Sequence, residues 1–183
     1  MRKNILAICA VVAMGLAVLT IPAKSQQTKP SPAATTQCQL PGGKTITTDY
    51  SSPRMRGRKI YGDLVPWGKV WRAVANEATT FVTTADVNVG GKTVPAGSYT
   101  IFVVPTAEKW TLIVQKTTGE WGIPYPPTKP ADAGELLRTD MTVSSLPAPL
   151  ENFTIAYDQA NGGCTLHMDW ETTRASVNIT PKM

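Results

Sequence analysis

From Lys44 to the end of the chain, apolar and polar residues alternate with a period of two. Ile46, Thr48 and Tyr50 alternate with Thr45, Thr47 and Asp49, and Phe153, Ile155 and Tyr157 with Thr154, Ala156 and Asp158. Cys164, Leu166, Met168 and Trp170 alternate with Thr165, His167, Asp169 and Glu171, and Ala175, Val177 and Ile179 with Ser176, Asn178 and Thr180. Side chains on a strand point to opposite faces in turn, so this pattern predicts half-buried strands with one wet face. It places His167, Asp169 and Glu171 on the wet side. Ser98 to Pro105 and Trp110 to Gln115 are apolar on both faces and are predicted to lie centrally. Thr79 to Thr84, and Thr139, Met141 and Val143, mark further short strands.

Turn residues separate these runs. Gly90-Gly91 between Val87-Asn88-Val89 and Lys92-Thr93-Val94 predicts a tight hairpin. Pro95-Ala96-Gly97 and Asn161-Gly162-Gly163 divide other strands. Gly119 to Pro130, with Trp121, Tyr125 and four prolines, breaks the rhythm and is predicted to be a long ordered loop. No segment carries a sustained helical period. About ten short strands at this spacing predict an all-β fold, an antiparallel β-sandwich or jelly roll.

The N-terminus has another character. Arg2 and Lys3 precede an apolar run from Ile5 to Ile21, and Ala23-Lys24-Ser25 supplies small residues at the positions a signal peptidase reads. Residues 1–25 are therefore expected to be a signal peptide cleaved before Gln26. An uncleaved anchor is the alternative, since the run sits at the lower edge of membrane-spanning length. Residues 26–39 hold no large apolar side chain before Cys38 and are expected to form a flexible linker, leaving 40–183 as a single β domain. Export of this kind predicts a periplasmic or secreted protein with no stable membrane insertion after cleavage. Cys38 and Cys164 would remain, an even pair that predicts a disulfide in an oxidising compartment. Free thiols are the alternative, because sequence does not fix the separation of the two Cα atoms.

Composition and charge alter the picture locally. Of the 183 residues, 42% are hydrophobic and 17% charged, which excludes a disordered tail or a fibre. Losing Arg2, Lys3 and Lys24 with the leader lowers the net charge from +5 to +2, so basicity gives no argument for nucleic acid. What charge there is concentrates between Pro53 and Arg72. Arg54, Arg56, Arg58, Lys59, Lys69 and Arg72 there face Asp63 alone, a local excess of +5. Arg54, Arg56 and Arg58 would share a face if the segment is extended. Convergent guanidinium forks suit a carboxylate, phosphate or sulfate, and tryptophan faces suit sugars and cations. The candidate ligand-binding residues are Arg58, Trp67, Arg72, Asn76, Glu77 and Trp121. The competing reading is a solvated basic loop, or one in which Arg58 or Arg72 pairs with Glu77 to hold the fold.

Catalytic signatures are sparse. The chain has one histidine, no nucleophile elbow, no phosphate loop and no metal-ligand spacing, so no cofactor and no metal are expected. Three functions stay open. The first is a non-catalytic envelope module that binds an anionic or carbohydrate ligand. The second is a carboxylate-based hydrolase using acids such as Glu77, Asp63, Glu120 or Asp49, and the third a structural protein of the envelope.

An ordered series of motifs resembles the exported bacterial proteins of the domain of unknown function 2911 family. The series comprises Asp49 to Pro53, Gly57 to Gly62, Leu64 to Arg72, Ala75 to Thr79, Pro95 to Tyr99, Trp110, Trp121-Gly122 and Asp169-Trp170-Glu171. The resemblance spans roughly residues 40–180 and implies an exported, predominantly β domain with no assigned activity. Trp67 stands where the family usually has Tyr, and Val74 where it usually has Gly. The densest block of the resemblance is the same basic, tryptophan-containing segment.

Overall fold

The computed structural model describes residues 31–116, 134–160 and 162–182. The described residues form nine strands: β1 (Ala33–Leu40), β2 (Lys44–Ser51), β3 (Thr80–Thr83), β4 (Val87–Val89), β5 (Lys92–Val94), β6 (Gly97–Pro105), β7 (Lys109–Gln115), β8 (Glu135–Ala160) and β9 (Gly163–Pro181). They join in one antiparallel sheet of order β1-β2-β3-β6-β7-β8-β9-β4-β5. β6 and β7, apolar on both faces, occupy its centre as the pattern predicted. The hairpin at Gly90-Gly91 also forms, with both glycines at positive φ and Val89 opposite Lys92.

The fold is all-β as predicted, but two of its strands are far from short. β8 runs for 26 residues and β9 for 19, where the sequence pattern gave several separate strands. The difference lies at Leu146-Pro147-Ala148-Pro149, which reads as a break because proline cannot donate to a ladder. Pairing instead skips from Ser145↔Thr173 to Leu150↔Glu171, so the prolines fall in a bulge that β9 does not need to match. Opposite the bulge, Glu171 takes φ 54°, and β9 folds back on itself there. Thr165 donates to the Asn178 side chain at 3.0 Å, joining the two arms of β9.

The sheet is rolled, so strands distant in its order meet. β1 packs against β8 and β9, and Cys38 and Cys164 form a disulfide across this contact, their Cα atoms 6.4 Å apart. Gln159 adds a hydrogen bond to Gln39 O at 2.7 Å. Residues 33–39 are thus strand, not the linker expected of them. Their side chains are mostly exposed, and backbone pairing to β2 from Ala33↔Ser51 to Leu40↔Lys44 holds them. The expected signal peptide and residues 26–30 lie outside the described residues.

The core fills the roll. Ile46, Phe81, Ile101, Trp110, Leu112, Met141, Phe153, Ile155, Leu166, Met168 and Trp170 are all essentially inaccessible. Side chains of this size contribute about 1.5–3 kcal/mol each when fully buried. Between β2 and β3 the chain leaves the sheet from Ser52 to Thr79. It still donates Ile60, Tyr61, Val65, Ala73 and Val74 to the buried set, so this connection is packed onto the roll.

A candidate arginine-lined binding cavity

The connection is pinned at both ends. At its start, Phe153 N donates to Pro53 O and Met55 N to Glu151 O, both at 2.9 Å, which lays Pro53–Met55 along the corner of β8. Arg56 and Gly57 then turn at φ 51° and 69°, the Arg56 amide donating to Glu151 Oε1 at 2.9 Å. Arg54, Arg56 and Arg58 are therefore arranged around a turn, not along an extended strand. At the other end, Trp71 and Val103 exchange backbone hydrogen bonds of 2.7 and 2.8 Å. These fix Arg72 beside the sheet.

Between the two ends lies a cavity of about 470 Å³. Arg54, Arg56, Arg58 and Arg72 line it on the polar side, and Leu64, Val65, Trp71, Val74 and Trp170 on the apolar side. The floor is rigid: Trp71 stacks on Trp170 at 5.9 Å and 17°, and Phe153 meets both rings edge-on. Two of the arginines are braced from behind. Arg54 donates to Ser52 O and Ser52 Oγ at 3.1 and 2.7 Å, and Arg58 to Met55 O and Arg54 O at 2.9 and 2.7 Å. Carbonyl and hydroxyl partners leave the charges uncompensated, and Arg58 commits only two of its five N–H donors. Among the described residues Arg72 has no side-chain partner at all. No carboxylate is among the described residues lining the cavity.

Of the residues singled out from sequence, Arg58 and Arg72 meet in this cavity, joined by Arg54, Arg56, Trp71 and Trp170. The others do not line it. Asn76 donates to Ser31 O at 2.9 Å, so it holds the cavity wall that Ser31 provides. Glu77 accepts from Ser51 Oγ at 3.5 Å. Arg58 forks to main-chain carbonyls, not to Glu77. Trp67 stands outside, stacked on Tyr61 at 5.5 Å. Trp121 and the loop around it lie outside the described residues.

A second polar cluster escaped the sequence reading. His167 and Asp169, expected on a wet face, are 5% exposed. The fold-back of β9 brings Arg174 onto Asp169, with Nε and one Nη donating to its two oxygens at 2.9 and 2.6 Å. His167 sits between carboxylates: Nε2 lies 3.5 Å from Asp158 Oδ1 and Nδ1 3.1 Å from Asp169 Oδ2, the latter without the alignment of a hydrogen bond. Burial alone would raise the Asp169 pKa, but the contacts and charges of His167 and Arg174 outweigh it and hold the carboxyl below its ordinary value. The histidine between its carboxylates leaves no converging set of metal ligands, and none occurs among the described residues. The sequence signal for this cluster is the block Asp169-Trp170-Glu171 within the motif series.

A family model described as protein of unknown function (DUF2911) matches residues 31–179, which include every cavity residue and the whole histidine cluster. The chain belongs to that family. Searches of the curated proteins and of the solved structures found no match. Membership of DUF2911 agrees with the resemblance in the motifs and covers β1 as well, whose first residues the sequence pattern had assigned to a linker. No helix among the described residues is long and apolar enough to cross a membrane.

Proposed function

We propose that this DUF2911 protein is an exported, non-catalytic binding module whose cavity takes a ligand bearing a carboxylate, phosphate or sulfate. The observation that carries the reading is the convergence of four arginines on one 470 Å³ cavity with a stacked indole floor. Guanidinium forks grip planar oxyanions bidentately, and the apolar wall accepts a ring or an alkyl portion of the same molecule, an acidic sugar among them. The Cys38–Cys164 disulfide supports an oxidising compartment, hence the periplasm or the exterior.

Thermal unfolding of the exported protein against acidic glycans, small phosphates and sulfate tests this. A ligand at a hundred times its Kd adds about 2.7 kcal/mol, enough to raise the midpoint by about 5–10 °C at this size. The shift is expected to fade at high salt, and Arg72→Gln to weaken binding about 10- to 100-fold without lowering the midpoint of the free protein. A panel in which no anion moves the midpoint, or a variant that binds unchanged, rejects the proposal.

A further inference from the structure

Among the described residues the large hydrophobic side chains standing exposed are Leu64, at 44%, and Trp67, at 42%. Both belong to one turn. Val65 N donates to Ile60 O and Gly62 N to Val65 O, each at 2.9 Å, which closes residues 60–65 into a tight loop with Leu64 next to its tip. Ile60, Tyr61 and Val65 are buried beneath it. Trp67 lies flat on the same turn, one face against the Tyr61 ring and its edge over Gly62. A Cβ on Gly62 would come within 2.7 Å of the indole nitrogen. The two partly exposed side chains thus rest on a rigid base.

Cations flank this turn along the chain, and Asp63 within it is the acid among them. Arg56, Arg58, Lys59 and Lys69 are all exposed, and Leu64 shares the cavity wall with Arg56, Arg58 and Arg72. Residues 53–72 carry a net +5, and the rest of the sequence from Gln26 carries −3. A small soluble anion would have no use for an exposed tryptophan outside its site. A bilayer rich in acidic phospholipid uses every part of the arrangement. Its surface attracts the basic segment, its headgroup region accommodates an indole, and a phosphate presents the anion the arginines suit.

We infer that this turn docks the protein peripherally on an anionic phospholipid bilayer, with a headgroup phosphate in the arginine cavity and Leu64 and Trp67 in the interfacial layer. The inference rests on the anion-binding reading of the cavity and names the source of the anion.

Sedimentation with vesicles tests it, using protein purified after export so that a cleaved leader does not contribute. Vesicles of phosphatidylcholine alone are compared with vesicles in which roughly one lipid in three is phosphatidylglycerol, at about 0.1 and 0.5 M salt. Binding is expected to the acidic vesicles only, to be lost at high salt, and to shift tryptophan emission to the blue. The variant Trp67→Ser, which changes a side chain outside the cavity, is expected to bind about tenfold less or weaker still, while soluble glycerol phosphate still raises its melting temperature. Should that variant melt early, Lys59→Glu with Lys69→Glu carries the comparison with the same expectation, since both lysines are exposed and neither lines the cavity. Vesicle binding that survives the substitutions overturns the inference. So does glycerol phosphate binding with no vesicle binding, which leaves the cavity reading standing. Vesicle binding with no response to glycerol phosphate removes the headgroup from the cavity, and failure of both removes both readings.

Discussion

Asp169 keeps its charge in a buried place because Arg174 grips both of its oxygens and His167 stands beside it. Its folded-state pKa lies below the ordinary aspartate value, so its contribution to stability is complete above that ordinary value and lost as pH falls through the lower, folded one. Asp169→Asn is expected to flatten the acid end of a stability–pH profile measured by urea unfolding. At neutral pH it should cost about 2 kcal/mol, less than for a fully buried pair because the Arg174 side chain is 34% exposed. Tyr61 offers the opposite case. Its hydroxyl is buried with no hydrogen-bond partner among the described residues, and burial pushes the phenol far above its usual pKa. Tyr61→Phe is expected to be neutral or to stabilise by up to about 1 kcal/mol in the same assay. Charge counting along the chain found the arginines because they are close in sequence. It could not find the His167 cluster, whose burial comes from the chain folding back at Glu171. Alternation distinguishes one face of a strand from the other, but it does not say whether a second arm covers the polar face.

The fold-back depends on β8 and β9 acting as one bent ribbon. Alternation identified both arms of each strand correctly, and the prolines concealed that the arms are continuous. β1 was hidden for a different reason: an edge strand held by main-chain pairing needs no apolar face, so Ala33–Gln37 carries no hydrophobic signal to read. Beside the turn from β8, Gly163 at the start of β9 lies against Ile179 and Thr180 near its end, and an added Cβ would collide with the Ile179 carbonyl. Gly163→Ala is expected to lower stability by about 2 kcal/mol or more, because main chain on both sides must move. Hydrogen exchange should show the loss in both arms of β9 at once. Loss confined to residues near Gly163 would mean that the arms do not depend on each other.

Across the molecule, the roll is closed by the bridge between β1 and β9. Replacing both cysteines, Cys38→Ala with Cys164→Ala, frees a loop spanning 126 positions and is expected to cost up to about 4–5 kcal/mol, read as a lower thermal midpoint. Reductant should then have no further effect. The architecture legible in the sequence was the class and the central strands. The rolling of one sheet upon itself was not, because it depends on contacts between strands far apart in the chain. The bridge also bears on the order in which the molecule is completed. A chain threaded across a membrane N-terminus first delivers Cys38 early, and β1 and β2 can zip together as neighbours. Cys38 must then wait as a thiol until almost the whole domain has emerged. For an exported chain that loses residues 1–25, Cys9 goes with them and Cys38 meets no rival cysteine in the interval, so oxidation would have one outcome, the bridge to Cys164 that latches a finished fold.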